Sequence, residues 1–426
     1  MPVTGTRSWP APTAAGPIEA SVSLPASKSL MARALVLAAL ADEPTTVHNP
    51  LVARDPLLMA RALGALGAAV STPDEGPWRV VPGSTDGGST VDCGLSGTVM
   101  RFVPPVAALG RAVVAFDGDP RARERPMRGL LDALRALGVQ VRPLGAATLP
   151  FTVRGLGAVR GGSVVVDATE SSQFVSGLLL AGCRFDLGLR LEATDAPPSA
   201  PHITMTLQAL RARGVDAGAL GPAAWQVPAA VPRGGEVTIE PDLSNAAPFL
   251  AAALVTGGRV QVPGWPSQTT QPGRRLLDLL TRFGASVEVD RDGASVVGDG
   301  QPRGLGCVDL SDVGELVPTV AALAALADGP TTITGVAHLR GHETDRLASL
   351  TAALRTLGAR AEQTDDGLRI APGRLHEGVV ATDGDHRMAT FAAVVGLAVP
   401  GVRVDDISVT TKTFPFFPAL WQAMLG

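Results

Sequence analysis

Arg275-Leu276-Leu277-Asp278-Leu279-Leu280-Thr281-Arg282-Phe283-Gly284-Ala285-Ser286-Val287-Glu288-Val289 is the stretch from which the rest of the chain can be read. Its leucines recur at helical spacing, and Gly284 follows as a left-handed helix end. The five residues after it suit a strand. The same apolar stretch closed by glycine recurs at 58–67, 130–138, 206–214, 275–284, 347–358 and 418–426. The closing glycines Gly67, Gly138, Gly214, Gly284, Gly358 and Gly426 are spaced by 71, 76, 70, 74 and 68 residues. After five of the six, the following residues can start a strand.

A second, more apolar helix recurs between these. Its expected starts lie near Ser29, Ser96, Ser171, Ser244, Asp312 and Asp385, spaced by 67, 75, 73, 68 and 73 residues. Each opens on a polar capping residue and runs into segments such as Leu-Ala-Ala-Leu. Helices apolar nearly all round are expected to be buried. Short alternating strands fall between the helices, for example at 163–167 and 236–240. Two series with matched periods predict six copies of a βαβαββ-like unit of about 70 residues. Six units allow two lobes of three, with a break near 232–242.

Composition narrows the function. The chain has 426 residues, 46 % of them apolar and 18 % charged, and a net charge of −4. Bulk binding of nucleic acid or an anionic membrane surface would favour a basic chain. No segment reaches the roughly 18 apolar residues of a membrane span, and the first 17 residues lack the apolar core of a signal peptide. Cys93, Cys183 and Cys307 lie far apart without a Cys-x-x-Cys pair, which fits a reducing cytoplasm. Of 36 basic residues only Lys28 and Lys412 are lysine. A GC-rich genome accounts for the bias toward arginine, but not for the two lysines that remain.

The starts of the apolar helices carry the chemistry. A helix N-terminus is already partly positive, so acidic residues normally gather there. Here one start reads Pro25-Ala26-Ser27-Lys28-Ser29 with Arg33 a turn later, and another Ser96-Gly97-Thr98 with Arg101 a turn later. Two more read Ser171-Ser172-Gln173 and Asp385-His386-Arg387. Ser171-Ser172-Gln173 alone reads as a simple cap, and Arg101 alone as an ion-pair partner. Four such starts together predict cradles for small ligands bearing phosphate and carboxylate. Lys28 lacks the glycines of a P-loop. His338 and His342, four apart, lack a His-Glu-x-x-His frame and a third ligand, so no metal site is expected. No Gly-x-Ser-x-Gly elbow is present.

With these motifs in hand, the chain resembles the 5-enolpyruvylshikimate-3-phosphate synthase family, of the actinobacterial kind, from about residue 17 to 426. The carriers are Pro25-Ala26-Ser27-Lys28-Ser29 with Arg33, Leu95-Ser96-Gly97-Thr98 with Arg101, and Arg121-Ala122-Arg123-Glu124-Arg125-Pro126. They continue in Ser171-Ser172-Gln173-Phe174 and Pro198-Ser199-Ala200-Pro201-His202. The second half adds Gly341-His342-Glu343-Thr344-Asp345-Arg346-Leu347, Asp385-His386-Arg387-Met388-Ala389 and Thr411-Lys412-Thr413-Phe414-Pro415.

The resemblance implies an α/β fold of two lobes, an inside-out α/β barrel in which each lobe sets three βαβαββ units around a pseudo-threefold axis. Residues 25–241 would form the N-terminal lobe. Residues 242–426, joined by a crossing segment 1–24, would form the C-terminal lobe, with the active site in the cleft. It implies transfer of the enolpyruvyl group of phosphoenolpyruvate to the 5-hydroxyl of shikimate-3-phosphate, on the route to chorismate and aromatic amino acids. By the same resemblance Lys28, Ser29, Arg33, Ser171, Ser172, Gln173, Ser199, Glu315, His338 and His342 would hold shikimate-3-phosphate. Lys28, Gly97, Arg125, Gln173, Arg346, Arg387 and Lys412 would surround phosphoenolpyruvate. Glu315 would deprotonate the hydroxyl, and Lys28 and Glu343 would carry protons at the methylene and the leaving phosphate. It implies no metal or organic cofactor, only small-molecule partners, and a cytoplasmic monomer.

Several positions depart from the family's commonest pattern. Ala26 stands for Gly beside Lys28, which implies altered sensitivity to glyphosate. Ala32 stands for Asn, and Ala53-Arg54-Asp55 for a Ser-Asp-Asp-like stretch. Glu315 replaces Asp, while His338, His342 and His202 replace Asn, Lys and Tyr. Three alternatives stay open on sequence. They are enolpyruvyl transfer to a shikimate-like secondary metabolite, the UDP-N-acetylglucosamine enolpyruvyl transferase reaction, and a non-enzymatic phosphometabolite scaffold. The second usually has Cys before the Arg-Pro of its mobile loop, where this chain has Glu124.

Overall fold

The computed structural model describes residues 8–83 and 88–426; residues 1–7 of the expected crossing segment lie outside the described residues. The chain forms two compact units, Ala26–Glu240 and, joined to the N-terminal segment through Pro25, Pro241–Gly426. Each has its own apolar core, one built from Ala26 to Ile239 and the other from Ala11 to Met424.

One repeat shows the plan. Strand Ser89–Asp92, helix Gly97–Ala107, strand Val113–Asp117, helix Arg128–Ala136 and the strands Gln140–Arg142 and Phe151–Arg154 follow in order. The first two strands pair in parallel, Ser89 opposite Val114, and the last two close the sheet antiparallel. The stretches Gly162–Val227 and Gly306–Ala371 repeat this order of strands and pairing. The remaining repeats borrow a strand. Gly235–Thr238 returns to lead the sheet of Thr45–His48, in parallel. Glu19–Ser21 leads the sheet of Arg259–Pro263. Trp9–Pro10 pairs antiparallel with Val402–Val404, which Gly378–Val380 joins in parallel on its other side.

The outer helices end as the sequence predicts. Gly67, Gly138, Gly214, Gly284 and Gly358 all have φ between 80° and 109°, the left-handed conformation that lets the chain turn from helix into strand. The inner helices cluster in threes. Lys28–Ala39, Gly97–Ala107 and Ser172–Gly182 pack together in one unit, and Ala246–Thr256, Val317–Leu326 and His386–Gly396 in the other. Ala246–Thr256 is buried at ten of its eleven positions, consistent with its lack of a polar face. No described helix is long and apolar enough to cross a membrane.

Three starts of inner helices differ from expectation. Ser27, not Ser29, caps the first, its hydroxyl accepting from the Leu30 amide. The fourth begins at Ala246 rather than Ser244, because Asp242 accepts from the amides of Ser244 and Asn245 and holds that turn outside the helix. The fifth begins at Val317 rather than Asp312. Asp312 pairs with Arg275, a 3₁₀ turn Gly314–Leu316 intervenes, and Pro318, lacking an N–H, fits a helix only in its first turn.

Burial also sorts the cysteines. Cys93 and Cys183 are buried, and burial pushes each thiol up to about 12, helped at Cys93 by Asp92 and Asp117. Cys307 is exposed. A thiol reagent at pH 8 is therefore expected to label one cysteine per native chain and three after denaturation. Rapid labelling of all three in the native protein would contradict this burial.

Candidate active site

In the unit Ala26–Glu240, three inner helices bring their starts toward the predicted residues. Lys28 is the first residue of its helix, and its ammonium lies 3.6 Å from Asp55. Asp55 is 2 % exposed, in the first turn of helix Arg54–Ala65, and neither of its carboxylate oxygens accepts a hydrogen bond. Ala26 is buried just ahead of the Ser27 cap.

The second start is the most positive. A side chain at Gly97 would place its Cβ 2.9 Å from Arg101 Nη1, 2.9 Å from Arg125 Nη2 and 3.2 Å from Arg125 Nη1. Two guanidinium groups thus close over the amino end of a buried helix because this position has no side chain. Arg101 donates to the carbonyls of Gly97 and Pro126 and stacks 5.7 Å from the Phe174 ring centre. Arg125, 6 % exposed, donates to the carbonyl of Leu95.

At the third start Ser171 is a cap in fact, its hydroxyl accepting from the Gln173 amide. Ser172 is buried beside it. Gln173 Oε1 is buried without a hydrogen-bond partner. Ser199, ahead of helix Pro201–Ala212, has φ of 53°. That conformation is rare outside glycine, and such strain gathers at functional sites.

Arg33 is anchored within its own unit. It is 1 % exposed and donates to Thr206 Oγ1 and to the carbonyls of Ser29 and His202, each at 2.8 Å. Its guanidinium also lies over the Phe102 ring, 5.4 Å from the centre. The side chain ties the first helix to Pro201–Ala212 inside the unit. Arg33→Ala is expected to lower stability by about 3 kcal/mol, because one buried and two partly buried acceptors lose a charged donor and the buried side chain leaves a gap. An unchanged melting temperature would show that these contacts are dispensable.

In the unit containing Pro241–Gly426, the predicted residues form a continuous charged network. Glu343, 6 % exposed, accepts from Lys412 Nζ at 2.6 Å and from Arg346 Nη2 at 3.1 Å. Arg346 also donates to Asp385 Oδ2, from Nε at 2.9 Å and from Nη2 at 2.8 Å. Asp385 is fully buried, and its Oδ1 caps the helix His386–Gly396 through the Arg387 amide at 2.8 Å. Arg387 Nη1 donates to the Ser244 carbonyl, joining two helix starts. Burial alone would pull the Arg346 guanidinium down, but Asp385 and Glu343 outweigh it and hold its pKa above the ordinary value. It stays a cation at any assay pH.

Glu315 lies in the 3₁₀ turn Gly314–Leu316, where its charge also acts on Arg346. His338 belongs to a second 3₁₀ turn, Ala337–Gly341, rather than to a helix face shared with His342. The two rings lie 5.8 Å apart. His342 Nδ1 is 4.0 Å from Glu343, and a side chain at Gly314 would meet His338 Nε2 at 2.9 Å.

The sequence motifs give Asp55 no role, and Asp385 only that of a helix cap. Both are buried carboxylates that hold a predicted cation, and their partners lie 27 and 39 residues away, beyond any local pattern. The one signal was an acidic residue beside a basic one at a helix start.

A family model for EPSP synthase (3-phosphoshikimate 1-carboxyvinyltransferase) matches residues 12–421. A 3-phosphoshikimate 1-carboxyvinyltransferase of Kocuria rhizophila is 53 % identical over 430 residues, covering 98 % of this chain and 96 % of that protein. Among solved structures, an EPSP synthase from Acinetobacter baumannii superposes with a TM-score of 0.79 at 24 % identity, covering 98 % of this chain and 97 % of the other. The enolpyruvyl transferase NikO from Streptomyces tendae superposes with a TM-score of 0.75 at 19 % identity, covering 97 % and 96 %. At those identities the structures speak for the fold, two lobes of βαβαββ repeats, while the family match and the Kocuria relative speak for the activity. On their strength the chain belongs to the EPSP synthase (3-phosphoshikimate 1-carboxyvinyltransferase) family.

Proposed function

We propose that this enzyme transfers the enolpyruvyl group of phosphoenolpyruvate to the 5-hydroxyl of shikimate-3-phosphate, with the charged helix starts serving the reaction. The observation that carries the reading is Gly97, where two guanidinium groups gather at the already positive end of a buried helix. Cations stacked on that end are unfavourable unless an anion joins them. The donor offers both a carboxylate and a phosphate.

Lys28, Arg125, Gln173, Arg346, Arg387 and Lys412, with the space over Gly97, are assigned to phosphoenolpyruvate. Ser29, Arg33, Ser171, Ser172, Ser199, Glu315, His338 and His342 are assigned to shikimate-3-phosphate, Lys28 and Gln173 touching both. Glu315 takes the proton of the 5-hydroxyl as its oxygen attacks C2 of the enolpyruvyl group. A proton delivered to C3 completes a tetrahedral intermediate. Loss of a C3 proton then expels phosphate as the C2–O bond to it breaks. Lys28 and Glu343 carry those protons, Lys28 at the methylene and Glu343 through its contact with Lys412 at the phosphate side. Acid–base help of this kind contributes about 10²–10⁴-fold, and fixed charge and positioning supply the remainder. The residues assigned here perform this chemistry without a metal or organic cofactor, in a cytoplasmic monomer.

The assay is release of inorganic phosphate from phosphoenolpyruvate with either acceptor. Turnover with shikimate-3-phosphate and none with UDP-N-acetylglucosamine is expected. The reverse preference would overturn the assignment.

A further inference from the structure

We infer that Asp385 is a positioning residue, whose two carboxylate oxygens fix both arginines of the donor-side anion site in one arrangement. The inference rests on the functional reading above for the identity of the anion. Asp385 is fully buried and belongs to none of the ligand-contacting sets. Its oxygens divide the work. Oδ1 accepts from the Arg387 amide and so sets where helix His386–Gly396 begins. Oδ2 accepts from both Nε and Nη2 of Arg346. One rigid group thereby sets the spacing between a guanidinium and the helix start that carries the next one.

The consequence is visible at Arg346. A guanidinium has five N–H donors. The Nε proton and both Nη2 protons go to Asp385 and Glu343. Nη1 is buried with no hydrogen-bond partner, in a side chain only 2 % exposed. Leaving buried donors of a charged group unsatisfied is costly, and in a native structure such a group calls for an explanation. An anion provides one, because each Nη1 proton can donate a charge-assisted hydrogen bond to a carboxylate or phosphate oxygen. With Nε and Nη2 held by acids, the guanidinium cannot rotate to satisfy Nη1 elsewhere. Asp385 therefore keeps the ligand edge of Arg346 presented before the ligand arrives.

The test uses Asp385→Asn, Arg346→Met and the double variant. The asparagine oxygen can still cap the Arg387 amide, but its NH₂ faces the guanidinium and cannot accept from it. Displacement of about an ångström in a positioned group can cost 10²-fold. Asp385→Asn is expected to raise the KM for phosphoenolpyruvate about 10- to 100-fold, with the KM for shikimate-3-phosphate changed less than about threefold. Because Asp385 acts through Arg346, the double variant should be no worse than Arg346→Met alone. A folded Asp385→Asn with parental KM for phosphoenolpyruvate, or additive losses in the double variant, would overturn the inference. If Asp385→Asn does not fold, Asp385→Glu keeps the charge while pushing Arg346 out by one methylene, and the same selective rise in KM is expected. A parent that releases no phosphate refutes the functional reading alone. The anion site is then read by thermal shift with inorganic phosphate, which should stabilise the parent and not Asp385→Asn. Equal shifts, or none in either, would refute the positioning role.

Discussion

Lys28→Met is expected to lower kcat by about 10²–10⁴-fold, the usual contribution of a proton-carrying group, while the fold persists. The physical difficulty in reading such a variant is Asp55. That carboxylate is 2 % exposed, accepts no hydrogen bond, and lies 3.6 Å from the Lys28 ammonium. Removing the lysine strips a buried charge of its counterion, which costs stability by itself. The double variant Lys28→Met/Asp55→Asn separates the two effects. It should recover the melting temperature lost in Lys28→Met without recovering turnover. Near-parental kcat in either variant would remove Lys28 from the proton path. Restored turnover in the double variant would mean that the single variant failed through instability.

Gly97→Ala should raise the KM for phosphoenolpyruvate by about 10²-fold. The added Cβ would lie 2.9 Å from the tips of both Arg101 and Arg125. Those tips are the far ends of flexible side chains, so they can shift without moving the helix backbone. They would move away from the place where the anion is held, and misplacement of that size costs about 10²-fold in a positioned site. The melting temperature is expected to change little, because alanine suits the first turn of a helix better than glycine does. A KM within a few-fold of the parent would show that the two guanidinium groups do not close on the donor.

The repeats were legible because they depend on local rules. A glycine with φ between 80° and 109° must follow each outer helix to turn the chain, and its spacing repeats in the sequence. The inner helix starts were legible only in part. Asp242 moves one start by accepting two amides, and Pro318 with the Arg275–Asp312 pair moves another. These are decisions made by contacts rather than by propensity. The site divides the same way. Lys28, Gly97, Arg125, Arg387 and Lys412 stand out by being cations or gaps at helix ends. Arg33 carries the same signal, and its anchors Thr206 and His202, 173 and 169 residues away, could not be read locally. Asp55 and Asp385 gave almost no signal, since a carboxylate's role here is set by the cation folded against it.

The claim on which the rest stands is that the cations at these helix starts hold two phosphorylated acids. A crystal structure with shikimate-3-phosphate and phosphoenolpyruvate, trapped in the Lys28→Met variant, tests it most directly. Arg125, Arg346, Arg387 and Lys412 are predicted within hydrogen-bonding distance of the donor's oxygens, with Ser171, Ser172 and Ser199 on the acceptor. Either ligand bound away from these residues would contradict the account.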